Sequence, residues 1–207
     1  VMPSLHQIGE HLRWSWGVIS HLNGVCNTTE LREAYGKQQP EVVRFTNRIS
    51  QSKVIYEALC LLKKRPLNPL NSIQERVIEK ELQSMEQHGV GLSKEIQEVF
   101  NKNCQRLAEL STTFSNNVLD SINEWSLLIT EESDLRGLPG RALEVLAQTS
   151  EEAGDLHKDG QVPPSTGKGP WRLGLDMPRY IPFMTYAENR SLREILYKAH
   201  ISKASTG

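Results

Sequence analysis

The chain has 207 residues, 38% hydrophobic and 24% charged, a composition that suits a soluble protein able to bury a core. Lys and Arg number 24 and Asp and Glu 25, so the formal net charge is −1 and gives no general electrostatic reason to expect nucleic acid or an acidic membrane as partner. No window approaches the roughly 18 consecutive apolar residues of a helical membrane span.

The first residues, Val1-Met2-Pro3-Ser4-Leu5, lack the charged-then-apolar pattern of a secretory signal. Val1 is not an initiator residue, so the expectation is a processed or excised chain, or a cloning remnant. Cys26, Cys60 and Cys104 are odd in number and far apart, which points to a reducing compartment and buried thiols.

The predicted elements follow in chain order. Ser4 to Val25 places Leu5, Ile8, Leu12, Ile19 and Leu22 at helical spacing, with Trp14 and Trp16 nearby. Asn27 and Glu30 read as a cap for a short helix ending near Tyr35 and Gly36. Pro40 suits the first turn of a further helix, whose stripe is Val42, Phe45, Ile49, Tyr56 and Leu59 and which Pro66 stops. Ser72 with Glu75 reads as a capping box, followed by Ile73, Val77, Leu82 and Met85, with Gly89 closing that helix.

Leu92 to Thr130 reads as one long amphipathic helix, the spine of the fold. Its core-facing candidates are Ile96, Phe100, Leu107, Leu110, Phe114, Val118, Ile122 and Trp125. Its middle is a conflict: Ser111, Thr112, Thr113, Ser115, Asn116 and Asn117 together cost about 3 kcal/mol in helix propensity. Burying Leu110, Phe114 and Val118, at about 1.5–3 kcal/mol each, offsets that. The small polar groups either let another helix approach and hydrogen-bond to it or line a polar channel; the first is the more common use of such groups.

After the spine, 135–140 is a break, 141–153 a short helix, and 155–170 an exposed loop rich in Gly, Pro, Ser and Lys. Trp171, Leu173 and Leu175 alternate with polar or small residues, as in a strand. Pro178 and Pro182 bracket a turn or a second extended piece. Asn189 or Ser191 caps a last helix carrying Leu192, Ile195, Leu196 and Ala199. The fold class is therefore mainly α, a multi-helix bundle around one long helix. A small β element lies near residues 171–185, before the last helix, and 1–207 is read as a single helical domain.

The motifs of common chemistries are missing. None of the six histidines is followed by Glu, and His6, Glu10 and His11 miss the inverted zinc motif by one position. Gly167-Lys168 fails as a phosphate loop, because Val162 stands where its first glycine belongs and Gly169 follows the lysine. No G-x-S-x-G elbow occurs. Glu131, Glu132 and Asp134 read as a solvated turn. No catalytic, cofactor-binding or metal-binding residue emerges.

Three segments carry a resemblance. The first is 16–23, Trp-Gly-Val-Ile-Ser-His-Leu-Asn, with Glu30-Leu31-Arg32. The second is 110–120 on the spine. The third is 171–178, Trp-Arg-Leu-Gly-Leu-Asp-Met-Pro, with Tyr180-Ile181-Pro182-Phe183-Met184 and 189–194. In this order, and across almost the whole chain, they resemble the N-terminal portion of the oligopeptidase A branch of the thimet-oligopeptidase family of zinc metallopeptidases.

The resemblance implies the helical half of a two-lobed peptidase, one wall of a channel that admits short peptides. It implies that the chemistry lies in the other half, where a His-Glu-x-x-His helix and a later Glu hold zinc. None of those positions is in this chain, so zinc is expected only in a full-length family member and no catalytic residue carries over. Asp176, Arg179 and Tyr180 sit in a matching segment and are the substrate-channel candidates. The implied location is intracellular, in the cytoplasm or an organelle such as a plastid or mitochondrion. The implied partners are short peptides or the catalytic lobe. Apolar faces left unpaired are expected to drive self-association, above all around Leu192–Leu196 and near Trp125. The alternative is a stand-alone truncated protein acting as a helical peptide-binding or protein-interaction module.

Overall fold

The computed structural model describes residues 2–66, 68–155 and 163–205. They fall into two compact units, Val1–Thr112 and Thr113–Gly207.

The first unit begins with α1 (Met2–Val25) and α2 (Thr29–Ser50). Thr28, not Asn27, caps α2, its hydroxyl accepting from the Leu31 amide at 3.3 Å. The helix does not stop at Gly36; it runs through Pro40 to Ser50. A proline inside a helix crowds the carbonyl four residues earlier. Here that carbonyl belongs to Gly36, the helical residue with the most backbone freedom to yield. Trp16 stacks on Tyr35 with ring centroids 4.5 Å apart, which fastens α1 to α2.

The helix predicted to continue from Pro40 to Lys64 is instead divided. Ser52 caps α3 (Lys53–Lys64) after a break at Gln51. Asn71 and Gln74 form the capping box of α4 (Ser72–Gln87), one residue earlier than Ser72 and Glu75. Leu59 on α3, Ile78, Leu82 and Met85 on α4 and Val90 beyond it make the core of this unit, whereas Ile73 and Val77 face outward. Gly89 ends the α4 turn at φ +85°, a backbone state that favours glycine.

The spine is α5, Lys94–Glu124, continuous through Ser111–Asn117 as expected. No residue of α5 is fully buried, and the predicted core contact holds only toward its end, where Ile122 and, just past it, Trp125 pack against the second unit's core. Ile96, Leu107, Leu110 and Phe114 are exposed, while Phe100, Val118, Ile122 and Trp125 are half-buried. Its end is also earlier than Thr130.

In the second unit the chain leaves α5 and enters β1 (Ser126–Ile129), which pairs antiparallel with β2 (Trp171–Gly174), Ser126 opposite Gly174 and Ile129 opposite Trp171. The strand read at 171–175 is thus present, and its partner lies at the end of the predicted spine. A short 3₁₀ turn at Glu132–Leu135 leads to α6 (Gly140–Glu152).

The piece bracketed by Pro178 and Pro182 is not extended. It is α7 (Met177–Tyr186), capped by Asp176, with Pro178 in the first turn, where its missing amide costs nothing. Asn189, rather than Ser191, caps α8 (Arg190–Ile201), accepting from the Leu192 amide at 3.1 Å and donating to Asp134 at 2.9 Å. Ile129, Leu146, Trp171, Leu173, Phe183 and Leu196 are the centre of this unit's core. Each such side chain contributes about 1.5–3 kcal/mol by burial.

Of the loop read over 155–170, residues 156–162 lie outside the described ones, Val162 among them. Ser165–Lys168 is an exposed turn, while Pro164, Gly169 and Pro170 are buried. The cysteines are free; Cys60 and Cys104 are half-buried, but Cys26 is exposed, against the expectation of buried thiols.

Candidate functional surface and cleft

The face that α5 turns toward α2 is its polar one. Asn47 of α2 donates to Asn101 Oδ1 at 3.0 Å, and Gln51 donates to the same oxygen at 2.8 Å. One end higher, Gln39 donates to Thr112 Oγ1 at 2.8 Å and to the Ala108 carbonyl at 3.4 Å. Asn101, Gln105, Ala108 and Thr112 recur every three or four residues and share one side of the helix. Thr112 therefore does what the structural reading of the polar run predicts: it hydrogen-bonds a neighbouring helix.

Ile96, Val99, Leu107 and Leu110 fall on the opposite side at about 100° per residue, and all four are exposed. Ile96, Leu107 and Leu110, three residues of the stripe read as core, thus lie on the outward face within this unit, whereas Phe100 is half-buried. Hydrogen-bonded amides hold α5 in that rotation, because turning it would strand Asn47, which is buried. Periodicity found the stripe but not which face the neighbouring helix takes.

The channel candidates Asp176, Arg179 and Tyr180 are brought close in sequence and divide into two contacts. Asp176 accepts from the Arg179 amide at 3.3 Å and pairs through Oδ2 with Arg179 Nε. The guanidinium occupies the space a side chain on Gly174 would need: a Cβ there would lie 2.2 Å from Arg179 Cζ. Tyr180 looks elsewhere, stacking on His200 of α8 with centroids 4.0 Å apart. Burial, and then the nearby Lys203 charge, hold the His200 pKa below its ordinary value.

A cleft of about 370 Å³ opens where the last turns of α5 and α8 meet, lined by Ser121, Glu124, Trp125, Leu175, Ala199 and Lys203, with Ser202 beside them. Trp125, Leu175 and Ala199 were read only as apolar positions of their elements, and Glu124 and Lys203, 79 positions apart, carried no signal in the sequence. In the other unit Tyr56 donates to Glu86 at 2.6 Å, and that carboxylate pushes the phenol pKa up to about 12. The phenol is therefore a hydrogen-bond donor there and not a base near neutral pH.

Of the faces expected to associate, Leu196 is 0% exposed and Leu192 and Trp125 pack half-buried against the core of their unit, while Ile195 remains 47% exposed. Among the described residues no three His, Cys, Asp or Glu side chains are grouped to hold a metal ion. The donor set that zinc needs is not assembled by them, and no step of zinc chemistry is assigned to this chain. Among the described residues no helix is long and apolar enough to cross a membrane.

Residues 1–97 match the family described as neurolysin/thimet oligopeptidase, N-terminal domain. A probable cytosolic oligopeptidase A of Arabidopsis thaliana is 39% identical over 208 residues, covering 100% of this chain and 29% of that protein. Oligopeptidase A of Haemophilus influenzae is 39% identical over 206 residues, 99% of this chain and 28% of that protein. Oligopeptidase A of Escherichia coli is 35% identical over 202 residues, 97% and 28%. The chain thus spans less than a third of the length of these relatives. Over its whole length it is a homologue of the oligopeptidase A members of the thimet oligopeptidase family, corresponding to their N-terminal portion.

Proposed function

We propose that this chain serves as the non-catalytic helical part of an oligopeptidase A-like zinc metallopeptidase that degrades short peptides, and that it forms one wall of the peptide channel. The observation that carries the reading is the end-to-end match to oligopeptidase A proteins three to four times as long. The chain itself contains no His-Glu-x-x-His. The outward stripe of α5 supports the wall role: it offers apolar side chains to a peptide, on a helix held rigidly by Asn101 and Thr112. The partners on this reading are short peptides and the catalytic lobe, and the place of action is inside the cell.

The test is a hybrid in which this chain replaces the matching stretch of Escherichia coli oligopeptidase A. A hybrid that folds and hydrolyses a quenched short peptide supports the reading. If substituting Leu107→Glu and Leu110→Glu together in the hybrid leaves KM unchanged for peptides with apolar side chains, the wall role is wrong. A folded hybrid with no hydrolysis, though it binds zinc, would contradict the assignment as a whole.

A further inference from the structure

The cleft between the ends of α5 and α8 holds two charges with no opposite partner. Among the described residues, neither Glu124 nor Lys203 forms an ion pair. Glu124 is exposed at the last residue of α5. Lys203 is held in place by the His200 ring, its Nζ 3.1 Å from Nδ1. Tyr180 stacks on that same ring. The neutral imidazole can accept from the ammonium, which protonated imidazole could not.

The walls between the charges are apolar, formed by Trp125, Leu175 and Ala199. Ser121 is spent on structure: it donates to the Asn117 carbonyl at 2.8 Å and accepts from the Ala204 amide at 3.2 Å, tying the two helix ends together. The C-terminal end of α5 lies at Glu124 and favours a positive group there. Lys203, lining the same cleft, favours a negative one. A ligand carrying one charge satisfies one residue, whereas a small zwitterion satisfies both. The volume lies within the roughly 300–1,000 Å³ of small-molecule sites.

We propose that this cleft binds a small zwitterion, a free amino acid or a dipeptide, with its α-ammonium on Glu124, its α-carboxylate on Lys203 and its side chain against Trp125. The site is separate from the α5 stripe and does not rest on the channel reading. No covalent step is involved.

The experiment is a titration of the isotope-labelled 207-residue chain, followed through the assigned Trp125 indole and Lys203 amide resonances. The probes are leucine, glycyl-leucine, N-acetyl-leucine and leucinamide. Leucine or glycyl-leucine should give saturable shifts below about 10 mM, as expected for a weak metabolite site. Whichever of them saturates first identifies the ligand as amino acid or dipeptide. The two blocked forms should bind at least about tenfold more weakly, as loss of one charged contact implies. Glu124→Gln should bring leucine down to the level of N-acetyl-leucine, and Lys203→Met to that of leucinamide. Glu124 is exposed and Lys203 half-buried, and the amide spectrum of each variant away from the cleft checks that it keeps the fold. Equal binding of blocked and free forms, or no shift at these two residues, overturns the proposal.

Discussion

Arg172 on β2 grips the carboxylate of Asp155 with two nitrogens, Nε to Oδ2 at 2.8 Å and Nη2 to Oδ1 at 2.5 Å. Ser150, fully buried on α6, donates to the same Oδ2 at 2.8 Å, and Arg172 Nη1 reaches Ser126 on β1 at 2.6 Å. One ion pair therefore ties the end of α6 to both strands. Its carboxylate is only 14% exposed, so screening by solvent is limited.

The pair makes a pH prediction. The Arg172 hydrogen bonds hold the Asp155 pKa below its ordinary value of 3.8, against the opposing pull of burial. A folded-state pKa below the unfolded one means stability that is present above about 4 and lost as pH falls through the folded value. Asp155→Asn should lower the unfolding free energy by about 1.5–3 kcal/mol at neutral pH. It should also flatten the acid limb of a stability curve measured by urea melts. An acid limb identical to that of the unsubstituted chain would show that the contact carries no linkage.

Phe114 and Phe183 should respond in opposite ways to the same substitution. Sequence periodicity puts Phe114 in a core, which would make Phe114→Ala cost about 3–5 kcal/mol. The structure leaves it 60% exposed, so the expected loss is below about 1 kcal/mol. Phe183, 1% exposed, should cost the full core amount. Denaturant melts of the two variants decide it.

Phe114 also marks where the sequence stops being legible. A helical stripe reports that one side of α5 is apolar, not that anything within this chain covers it. What sets the helix rotation is a pair of polar links, Gln39–Thr112 and Asn47–Asn101, between residues more than fifty positions apart. Local features were readable where the chemistry is local: the alternation of Trp171, Leu173 and Leu175, the cap at Asn189, the glycine after α4. β1 was hidden because Ser126-Leu127-Leu128-Ile129 continues the apolar run of the helix before it, and a run that short fits either structure. α7 was hidden because two prolines mimic an extended segment, although one of them occupies the first turn, where a helix accepts it. The Glu124–Lys203 cleft has no sequence signal, since only folding brings those charges together.

Gly174 should accept a side chain only by displacing Arg179. A methyl group there would meet the Arg179 guanidinium at 2.2 Å and push it away from Asp176. The guanidinium is the far end of a flexible side chain, so Gly174→Ala should cost little more than the partly exposed ion pair it gives up, about 1 kcal/mol. Combining it with Arg179→Ala, which vacates the space, should recover part of the loss in a double-mutant cycle. Strict additivity would show that the two side chains do not compete.

The chain should self-associate as its concentration rises into the micromolar range. The expected contact is the outward face of α5 with Ile96, Val99, Leu107 and Leu110, while the last helix offers only Ile195 as an exposed apolar side chain from its Leu192–Leu196 stretch. Association entropy opposes the contact, so it should remain concentration-dependent. Light scattering coupled to size exclusion should show a mass that climbs with loading, and Leu107→Lys with Leu110→Lys should hold the chain at monomer mass. A monomer across a hundredfold range of concentration, with little binding of a hydrophobic dye, would mean that the stripe needs no cover.

The proposed role gives these 207 residues a structural part in peptide hydrolysis and none of its chemistry. The direct test is to incubate the purified chain with excess zinc, remove free metal, and measure bound zinc together with hydrolysis of a quenched short peptide. No stoichiometric zinc and no hydrolysis above the buffer rate are expected. One zinc per chain, with peptide cleavage that a chelator abolishes, would contradict that role.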